Sequence, residues 1–373
     1  MKKQFAETSR SSALAENITE DIIIDILSRL PAKSLMRFKC VSKRWRSLIS
    51  DQRFAKLHLQ MLSLETVALS QKIIKSNPLQ IIDYEALDND EVNDHVVVES
   101  CDLGRDKRWG LAGSCDGLGS CDGLVSLAVD DEFLVYNPTT RESRKLPASN
   151  LVATYECFHG FGYISTTDDY KLVHGAFFTA DDGSEECVLE IFSLRYDDCW
   201  RRVPSEDVPQ LDGVGIYLNG AVHWIVDHGS GYSREQAIIP FGLATETFEE
   251  AIPIPKVKGL HFHGVGIHKG RLLIYDVTFI SFEAWVMNEY RKKESWTRLF
   301  SIAIDRFPDH NFNIIPIAYT RSGKIVFQIN VSEVILFNPK DGTYKKYPIE
   351  EHRYVESVIY METLVSPNIG QEQ

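Results

Sequence analysis

The 373-residue sequence has no apolar run near the ~18 residues that cross a bilayer. Its first residues, Met1-Lys2-Lys3-Gln4-Phe5-Ala6-Glu7-Thr8, lack the apolar core of a secretory signal, so none is expected. Its seven cysteines, at 40, 101, 115, 121, 157, 187 and 199, are odd in number and form no Cys-x-x-Cys pair. A disulfide scaffold is therefore not expected; a reducing compartment is, with each thiol acting as a small buried hydrophobe. Neither Gly-x-x-x-x-Gly-Lys-[Ser/Thr] nor Gly-x-Ser-x-Gly occurs, so the sequence carries no phosphate-cradling loop and no nucleophile elbow of those types. Cys115-Asp116-Gly117-Leu118 and Cys121-Asp122-Gly123-Leu124 repeat without the close cysteine pair of a zinc site and read as a local duplication. His261, His263 and His268 have no carboxylate or cysteine beside them and read as strand or surface histidines. Asp181-Asp182 and Asp197-Asp198 read as solvated loop acids, since a catalytic pair needs burial and convergence. No catalytic residue, metal or cofactor is expected.

Charge of one sign is also scarce, but only locally. The chain carries 40 Lys+Arg against 53 Asp+Glu, a net charge of −13 and a pI of about 5.4, which argues against phosphate-backbone binding. Residues 1–60 nevertheless hold 12 basic and 6 acidic residues, and Lys33–Arg46 holds six basic residues and no acid. The net charge beyond residue 60 is −19. This break marks a domain boundary near residue 57.

The basic segment has helical periodicity. Ile22, Ile23, Ile26, Leu27 and Leu30 form one stripe, with Asn17 as a cap, Glu20 and Asp21 in the first turn, and Pro31 as the stop. A second short helix is expected through Leu35, Met36 and Cys40. A third follows from Ser42, with Val41, Trp45, Leu48 and Ile49 on one side and Asp51-Gln52 closing it. Ile24 lies off the main stripe, so helix 1 has apolar surface for a partner, either another protein or the downstream domain.

From about residue 115 the chain alternates short apolar runs with turn residues. A turn glycine opens a strand at Gly123-Leu124-Val125, Gly220-Ala221-Val222, Gly270-Arg271-Leu272 and Gly323-Lys324-Ile325, with steps of about 50 residues from 220 to 270 to 323. A second element, an apolar strand ending in an aromatic and a polar turn, recurs as Leu134-Val135-Tyr136-Asn137-Pro138 and Ile335-Leu336-Phe337-Asn338-Pro339. Each unit supplies about four strands and cannot bury both sheet faces alone; radial stacking into a propeller does so. Five units fit between residues 115 and 349, and a sixth is expected from residues near 66–100 joined by Tyr354–Val365.

The N-terminal residues closely resemble the F-box of plant F-box proteins. The match is carried by Leu30-Pro31-Ala32-Lys33-Ser34-Leu35, Cys40-Val41-Ser42-Lys43 and Trp45. The repeats resemble the F-box-associated, kelch-like domain of the same family, on Tyr136-Asn137-Pro138-Thr139-Thr140, Gly160-Phe161-Gly162-Tyr163, Asp169-Tyr170-Lys171-Leu172-Val173, Val222-His223-Trp224 and Trp285-Val286-Met287-Asn288-Glu289-Tyr290. That family includes regulators of immune-receptor levels and pollen self-incompatibility factors.

The resemblance implies an α+β multidomain chain: a disordered tail over 1–12, an F-box over 13–56, a linker with the first propeller strands over 57–114, an all-β propeller, six-bladed, over 115–366, and a tail over 367–373. It further implies a non-catalytic substrate receptor whose F-box binds a Skp-type adaptor and, through it, cullin and RING subunits. Ile18, Thr19, Ile22, Ile26, Leu30, Pro31, Leu35, Val41, Trp45 and Leu48 would sit at or directly behind that interface. Where the family usually begins with Leu-Pro this chain has Ile18-Thr19, so docking is expected to weaken but not to be lost.

A target protein is expected on propeller loops, with Tyr155, Phe158, Tyr217, Tyr232 and Phe312 as aromatic candidates. The acidic propeller suggests a target with a basic patch. Neither nucleic acid nor membrane is an expected partner, and the cytoplasm, the nucleus or both are the expected location. Two other readings stand beside this one: a scaffold independent of the ligase, and a propeller that senses a small molecule or glycan and is tethered by the F-box.

Overall fold

The computed structural model describes residues 19–65, 71–75, 79–88, 98–100, 117–129, 132–149, 151, 157–179, 185–204, 208–228, 235–307, 314–329, 333–348 and 357–370. Four helices come first: α1 (Glu20–Ser28), α2 (Ala32–Phe38), α3 (Lys43–Ser50) and α4 (Gln52–Glu65). Thr19 occupies the N-cap of α1 in extended backbone, and its own side chain does not cap the helix; the expected cap, Asn17, lies outside the described residues. The helix ends at Ser28 rather than at Pro31, which instead opens α2, where a fixed φ and a missing N–H cost nothing. Ser42 caps α3 as expected, its Oγ accepting from the Trp45 N–H at 3.1 Å. The chain does not leave the helical module at Asp51-Gln52. Asp51 Oδ1 accepts from the N–H groups of Arg53 and Phe54 and so starts α4, and the boundary expected at residue 56 falls inside that helix.

Among the described residues, twenty-six strands follow in six sheets. Blade A is β26 (Ser357–Met361), β1 (Gln71–Lys75), β2 (Gln80–Ile82) and β3 (Val98–Ser100). Blade B is β4 (Gly117–Cys121), β5 (Leu124–Val129), β6 (Glu132–Asn137) and β7 (Glu142–Lys145). Blade C is β8 (Cys157–Ile164), β9 (Asp169–Thr179), β10 (Glu185–Ser193) and β11 (Arg201–Val203), with β12 (Gly213–Val214) parallel to β8. Blade D is β13 (Ile216–Leu218), β14 (Ala221–His228), β15 (Glu235–Gly242) and β16 (Thr247–Phe248), with β17 (Ile252–Pro253) also on β15. Blade E is β18 (Gly264–His268), β19 (Arg271–Val277), β20 (Ser281–Met287) and β21 (Trp296–Ala303). Blade F is β22 (Ile314–Tyr319), β23 (Ile325–Ile329), β24 (Glu333–Phe337) and β25 (Tyr344–Pro348). This is a six-bladed propeller, and the sixth blade is the one expected from the two ends of the repeat region.

Strand alternation explains the near-continuous apolar runs. Successive side chains leave a strand on opposite sides, and here each side is a blade–blade interface. Leu272 and Ile274 pack toward blade D, while Leu273 between them packs toward blade F. Ile73 packs toward blade F and Ile74 toward blade B. A separate buried cluster fills each of the six gaps, A–B, B–C, C–D, D–E, E–F and F–A. Three of the turn glycines belong to two-residue hairpins. Cys121 pairs with Leu124, Leu218 with Ala221 and His268 with Arg271. The residues between them, Asp122-Gly123, Asn219-Gly220 and Lys269-Gly270, all have positive φ, the geometry that matches the twist of paired strands.

The ring is closed by the C-terminal segment. β26 pairs antiparallel with β1 through five residue pairs from Gln71–Met361 to Lys75–Ser357. Beyond it, the buried Asn137 side chain donates to the carbonyls of Thr363 and Val365, at 3.2 and 2.7 Å. A Cβ on Gly123 would lie 2.4 Å from the Met361 carbonyl, so this close crossing needs glycine. Ile369, placed in a tail by its sequence position, is buried between blades B and C. Of the cysteines, Cys121 is buried and free, Cys187 is half-buried and free, and Cys40 and Cys199 are exposed and free. The uniform burial expected of them is therefore not found. Cys157 is buried.

Candidate functional site

The helical module builds its core from Leu27, Ala32, Leu35, Ile49, Phe54 and Ala55, with Ile23, Ile24, Leu30, Met36, Phe38, Trp45 and Leu48 packed around it. One apolar edge is left outside. Ile22 is 50 % exposed, Ile26 51 % and Val41 63 %, and Pro31 is exposed near them in sequence. The outward surface of α1 is thus the Ile22/Ile26 edge, one helical turn apart, and not Ile24, which faces the core. Leu35 is wholly buried, Trp45 and Leu48 are half-buried, and Thr19 is exposed. Ile18 lies outside the described residues. The φ of Thr19 is −61°, the value a proline would impose, so the backbone enters α1 as it would with proline there.

Charge frames this edge. Arg44 meets Glu20 at 3.3 Å, joining the start of α3 to the start of α1, and Arg29 meets Asp25 at 3.0 Å. Arg37, Lys43 and Arg46 are exposed, so the basic run is largely a solvated face of the module. His58 of α4 is buried, and its Nε2–H donates to the Leu30 carbonyl at 2.8 Å. That bond fixes the turn between α1 and α2 against α4. Burial pushes the His58 pKa below its ordinary range, which keeps the ring neutral.

The module is fastened to one face of the propeller. Leu364 completes its core. Lys33 meets Glu362 at 3.2 Å. Lys56 of α4 pairs with Asp168, which also accepts from Arg195 at 2.9 Å and from the Tyr163 hydroxyl at 2.9 Å. Leu59 packs against the B–C cluster. In a four-stranded meander the first and third turns of a blade fall on one face of the ring, and the second turn and the connection to the next blade fall on the other. Asp168 in a first turn and Glu362 after β26 put the helices on the first face. The second turns and connecting segments therefore form the rim that faces away from them.

The target-contact candidates scatter under this geometry. Phe158 is fully buried in the C–D core, with its ring against the backbone of Gly175, and offers no surface to a target, contrary to expectation. Tyr217 is half-buried, its hydroxyl donating to the Tyr163 carbonyl at 2.7 Å, on the helix-bearing side of the ring. Tyr155, Tyr232 and Phe312 lie outside the described residues. Sequence reasoning missed Phe279 and Ile280, which are 83 % and 80 % exposed at the tip of the β19–β20 hairpin on the far rim. Their run, Tyr275-Asp276-Val277-Thr278-Phe279-Ile280-Ser281, reads as one strand. The turn is made by Thr278, whose Oγ1 accepts from the N–H groups of Ile280 and Ser281 at 3.2 and 2.9 Å.

The histidine cluster also differs from its sequence reading, because the fold brings in carboxylates from other strands. His263 Nδ1 lies 2.8 Å from Asp276 and His261 Nε2 lies 3.3 Å from Asp227. No grouping of three or more metal-ligating side chains occurs among the described residues. Asp197 accepts from the Ser193 N–H at 2.8 Å, a turn contact.

An exposed apolar edge on a small helical module, clamped to a six-bladed propeller, defines a class of protein: a binding module joined rigidly to a recognition scaffold. Family comparison places it further. A family model for the F-box domain matches residues 16–57, and one described as the F-box associated beta propeller domain matches residues 99–367. The chain belongs to the F-box proteins that carry this propeller. It is 29 % identical to the F-box/kelch-repeat protein At3g23880 of Arabidopsis thaliana, over 97 % of this chain and 99 % of that one. It is 27 % identical to the F-box protein CPR1 of the same plant, over 86 % of this chain and 82 % of that one. Among solved structures, TolB from Acinetobacter baumannii superposes with a TM-score of 0.47 and 10 % identity, covering 83 % of this chain and 72 % of that one. The architecture is that of a non-catalytic adaptor and is typical of substrate-receptor subunits of Skp-cullin-F-box ligases.

Proposed function

We propose that this chain is the substrate-recognition subunit of a Skp-cullin-F-box ubiquitin ligase. Ile22, Ile26 and Val41 dock on the Skp-type adaptor, with Thr19, Pro31, Trp45 and Leu48 framing the contact and Leu30 and Leu35 supporting it from behind; Ile18 belongs to the same edge by sequence. Cullin and RING subunits join through the adaptor. The propeller holds a target protein, whose ubiquitination and proteasomal degradation follow. The chain performs no bond chemistry: it raises the effective concentration of target lysines near the charged ubiquitin carrier. Work in the cytoplasm, the nucleus or both fits this role, and defence regulation or self-incompatibility are the pathways the family suggests. The observation that carries the reading is the exposed Ile22/Ile26/Val41 edge on a module whose core is otherwise complete. A helical edge of that kind suits helix-in-groove recognition.

The test is capture of the Skp-type adaptor by the purified full chain and by an Ile22→Asp, Ile26→Asp variant. Both positions are half-exposed, so the variant keeps the module core, unlike changes at Leu30 or Trp45. We expect the wild type to bind and the variant to lose about 30- to 1,000-fold in affinity, since two buried anchors are worth roughly 2–4 kcal/mol at an interface. Equal binding by both proteins overturns the assignment of this edge, and no binding by the wild type overturns the ligase reading.

A further inference from the structure

The helical module does not finish its own core. Its first three helices span 9, 7 and 8 residues, and in water helices shorter than about 12 residues are marginal without tertiary packing. A module this small has little buried surface to lose. Six buried apolar side chains between Leu27 and Ala55 form its core together with a seventh, Leu364. Leu364 stands roughly 300 residues further along the chain, just beyond the strand that closes the propeller.

The segment after β26 alternates between the two domains. Glu362 meets Lys33 of α2 at 3.2 Å, and Leu364 enters the module core. Thr363 and Val365 turn the other way. The Thr363 Oγ1 donates to the Asp122 carbonyl at 2.7 Å, and Val365 is buried in the B–C core. A period of two is that of an extended chain, so four successive residues serve both domains. Their backbone is fixed to blade B, where the Asn137 side chain holds the Thr363 and Val365 carbonyls. Leu364 therefore reaches the module only while this segment is seated in the ring.

Helix α2 carries the consequence to the docking edge. Near its start, Lys33 is held by Glu362. At its C-cap, Lys39 lies within electrostatic reach of Glu142 in β7, whose carboxylate accepts from the Ser366 Oγ at 2.6 Å. The same C-terminal segment thus bears on α2 directly at one end and through Glu142 at the other. Pro31 opens α2 and Val41 follows it, while Ile22 and Ile26 stand on α1. The exposed edge is shared between two helices whose spacing is set by the core behind them. A partner that needs both binds only the molecules in which both are in place, and its apparent affinity falls with that fraction.

We infer that Leu364 is a positioning residue for adaptor docking: seated by closure of the propeller, it completes the core that holds α1 and α2 in the docking arrangement. Only a chain whose ring has closed then presents the Ile22/Ile26/Val41 edge. Linkage makes the effect reciprocal: an adaptor bound at that edge holds the C-terminal segment, and with it β26, in the ring. A chain cut short or damaged in its last strand is kept off the ligase, although every adaptor-contacting residue lies at its other end. The inference deepens the receptor reading and rests on it for the identity of the partner.

The test compares the full chain with its Leu364→Ala, Leu364→Met and Leu272→Ala variants. Leu364→Met keeps the volume. Leu272 is also buried, but in the D–E core away from the module, so its loss controls for general destabilisation. Each protein is measured for affinity to the purified Skp-type adaptor and for amide hydrogen exchange with and without it. We expect Leu364→Ala to lose about tenfold or more in adaptor affinity and to exchange faster in α1–α3. The other two variants should bind within about threefold of wild type. Adaptor added to the wild type should slow exchange of the β26 amides that face β1 and leave those of blade D unchanged. Leu364→Val, a smaller cut, replaces the alanine variant if that one unfolds throughout. Unchanged docking by Leu364→Ala, an equal loss in Leu272→Ala, or β26 exchange indifferent to bound adaptor overturns the inference while wild-type capture leaves the receptor reading standing. No capture by the wild type overturns the receptor reading, and the docking role of Leu364 falls with it.

Discussion

Deleting residues 357–373 is expected to abolish cooperative folding of the propeller. The deletion removes β26, leaving β1 with an open edge in place of five paired residues. It also removes Tyr360 from the A–B core and Val365 and Ile369 from the B–C core. Burial of each such side chain contributes about 1.5–3 kcal/mol, and the three together approach the ~5–15 kcal/mol that separates folded from unfolded domains. Asn137 would lose both carbonyl acceptors that its side chain meets in the intact chain, a further cost of about 1 kcal/mol. The loss reaches the helical module as well, because Leu364 belongs to its core and Glu362 holds Lys33. Thermal unfolding followed by near-ultraviolet circular dichroism should lose its sharp transition. A truncated chain that melts cooperatively within a few degrees of the full one would contradict the closure described here.

Acid should weaken the propeller well before its carboxylates titrate. Burial pushes three histidines down: His174 to about 2, and His223 and His268 to about 4. Neighbouring groups add to it, the His159 ring beside His174 and the cations Lys269 and Arg271 near His268. His223 shows what neutrality does structurally. Its Nδ1–H donates to the Ile216 carbonyl at 3.1 Å, which leaves Nε2 to accept from the Tyr290 hydroxyl at 2.7 Å; a protonated ring has no acceptor to offer. The folded state thus holds these rings neutral below pH 6.5, while the unfolded chain takes up protons. Their contribution to stability is complete above about pH 6.5 and shrinks as pH falls toward the depressed values. Between pH 6.5 and 5.5 each group costs about 1 kcal/mol, because the unfolded imidazole is already half protonated at pH 6.5, so the three together remove roughly 3 kcal/mol. Asp122, Asp169 and Glu85, raised chiefly by burial, work in the opposite direction only once carboxylates begin to titrate. Urea midpoints at pH 7 and pH 5.5 measure this directly. A midpoint that does not fall would show that these rings are not held neutral.

The blades were readable because strand period and turn chemistry agree. Asp122-Gly123, Asn219-Gly220 and Lys269-Gly270 signal two-residue hairpins by residue type alone, and their spacing gave the repeat. The closing blade was readable from arithmetic, five units and two unclaimed ends. Contacts between distant segments were not. Nothing local marks α4 as fastened to the propeller, since its anchors, Asp168 and the B–C core, lie about a hundred residues away. Periodicity alone did not show the outward edge of α1, because a short apolar helix has no empty face: Ile22, Ile23, Ile24 and Ile26 look alike until the rest of the module covers some of them, and only the family resemblance singled out Ile22 and Ile26. Phe158 failed as a surface aromatic for the same reason, being one of several strand residues whose neighbours are supplied by another blade. The Phe279–Ile280 tip was hidden inside an apolar run whose only sign of a turn is Thr278.

The central claim is that this chain works by carrying a target into a ligase through Ile22 and Ile26. The most direct measurement is ubiquitin transfer in a reconstituted mixture of adaptor, cullin, RING subunit and charged ubiquitin carrier. The chain itself, held at the position of a target, serves as the acceptor of ubiquitin. Conjugates should form with the wild type, require the adaptor, and disappear with Ile22→Asp, Ile26→Asp. Conjugates that form equally without the adaptor or with that variant, or none at all from an assembled wild-type complex, would contradict it.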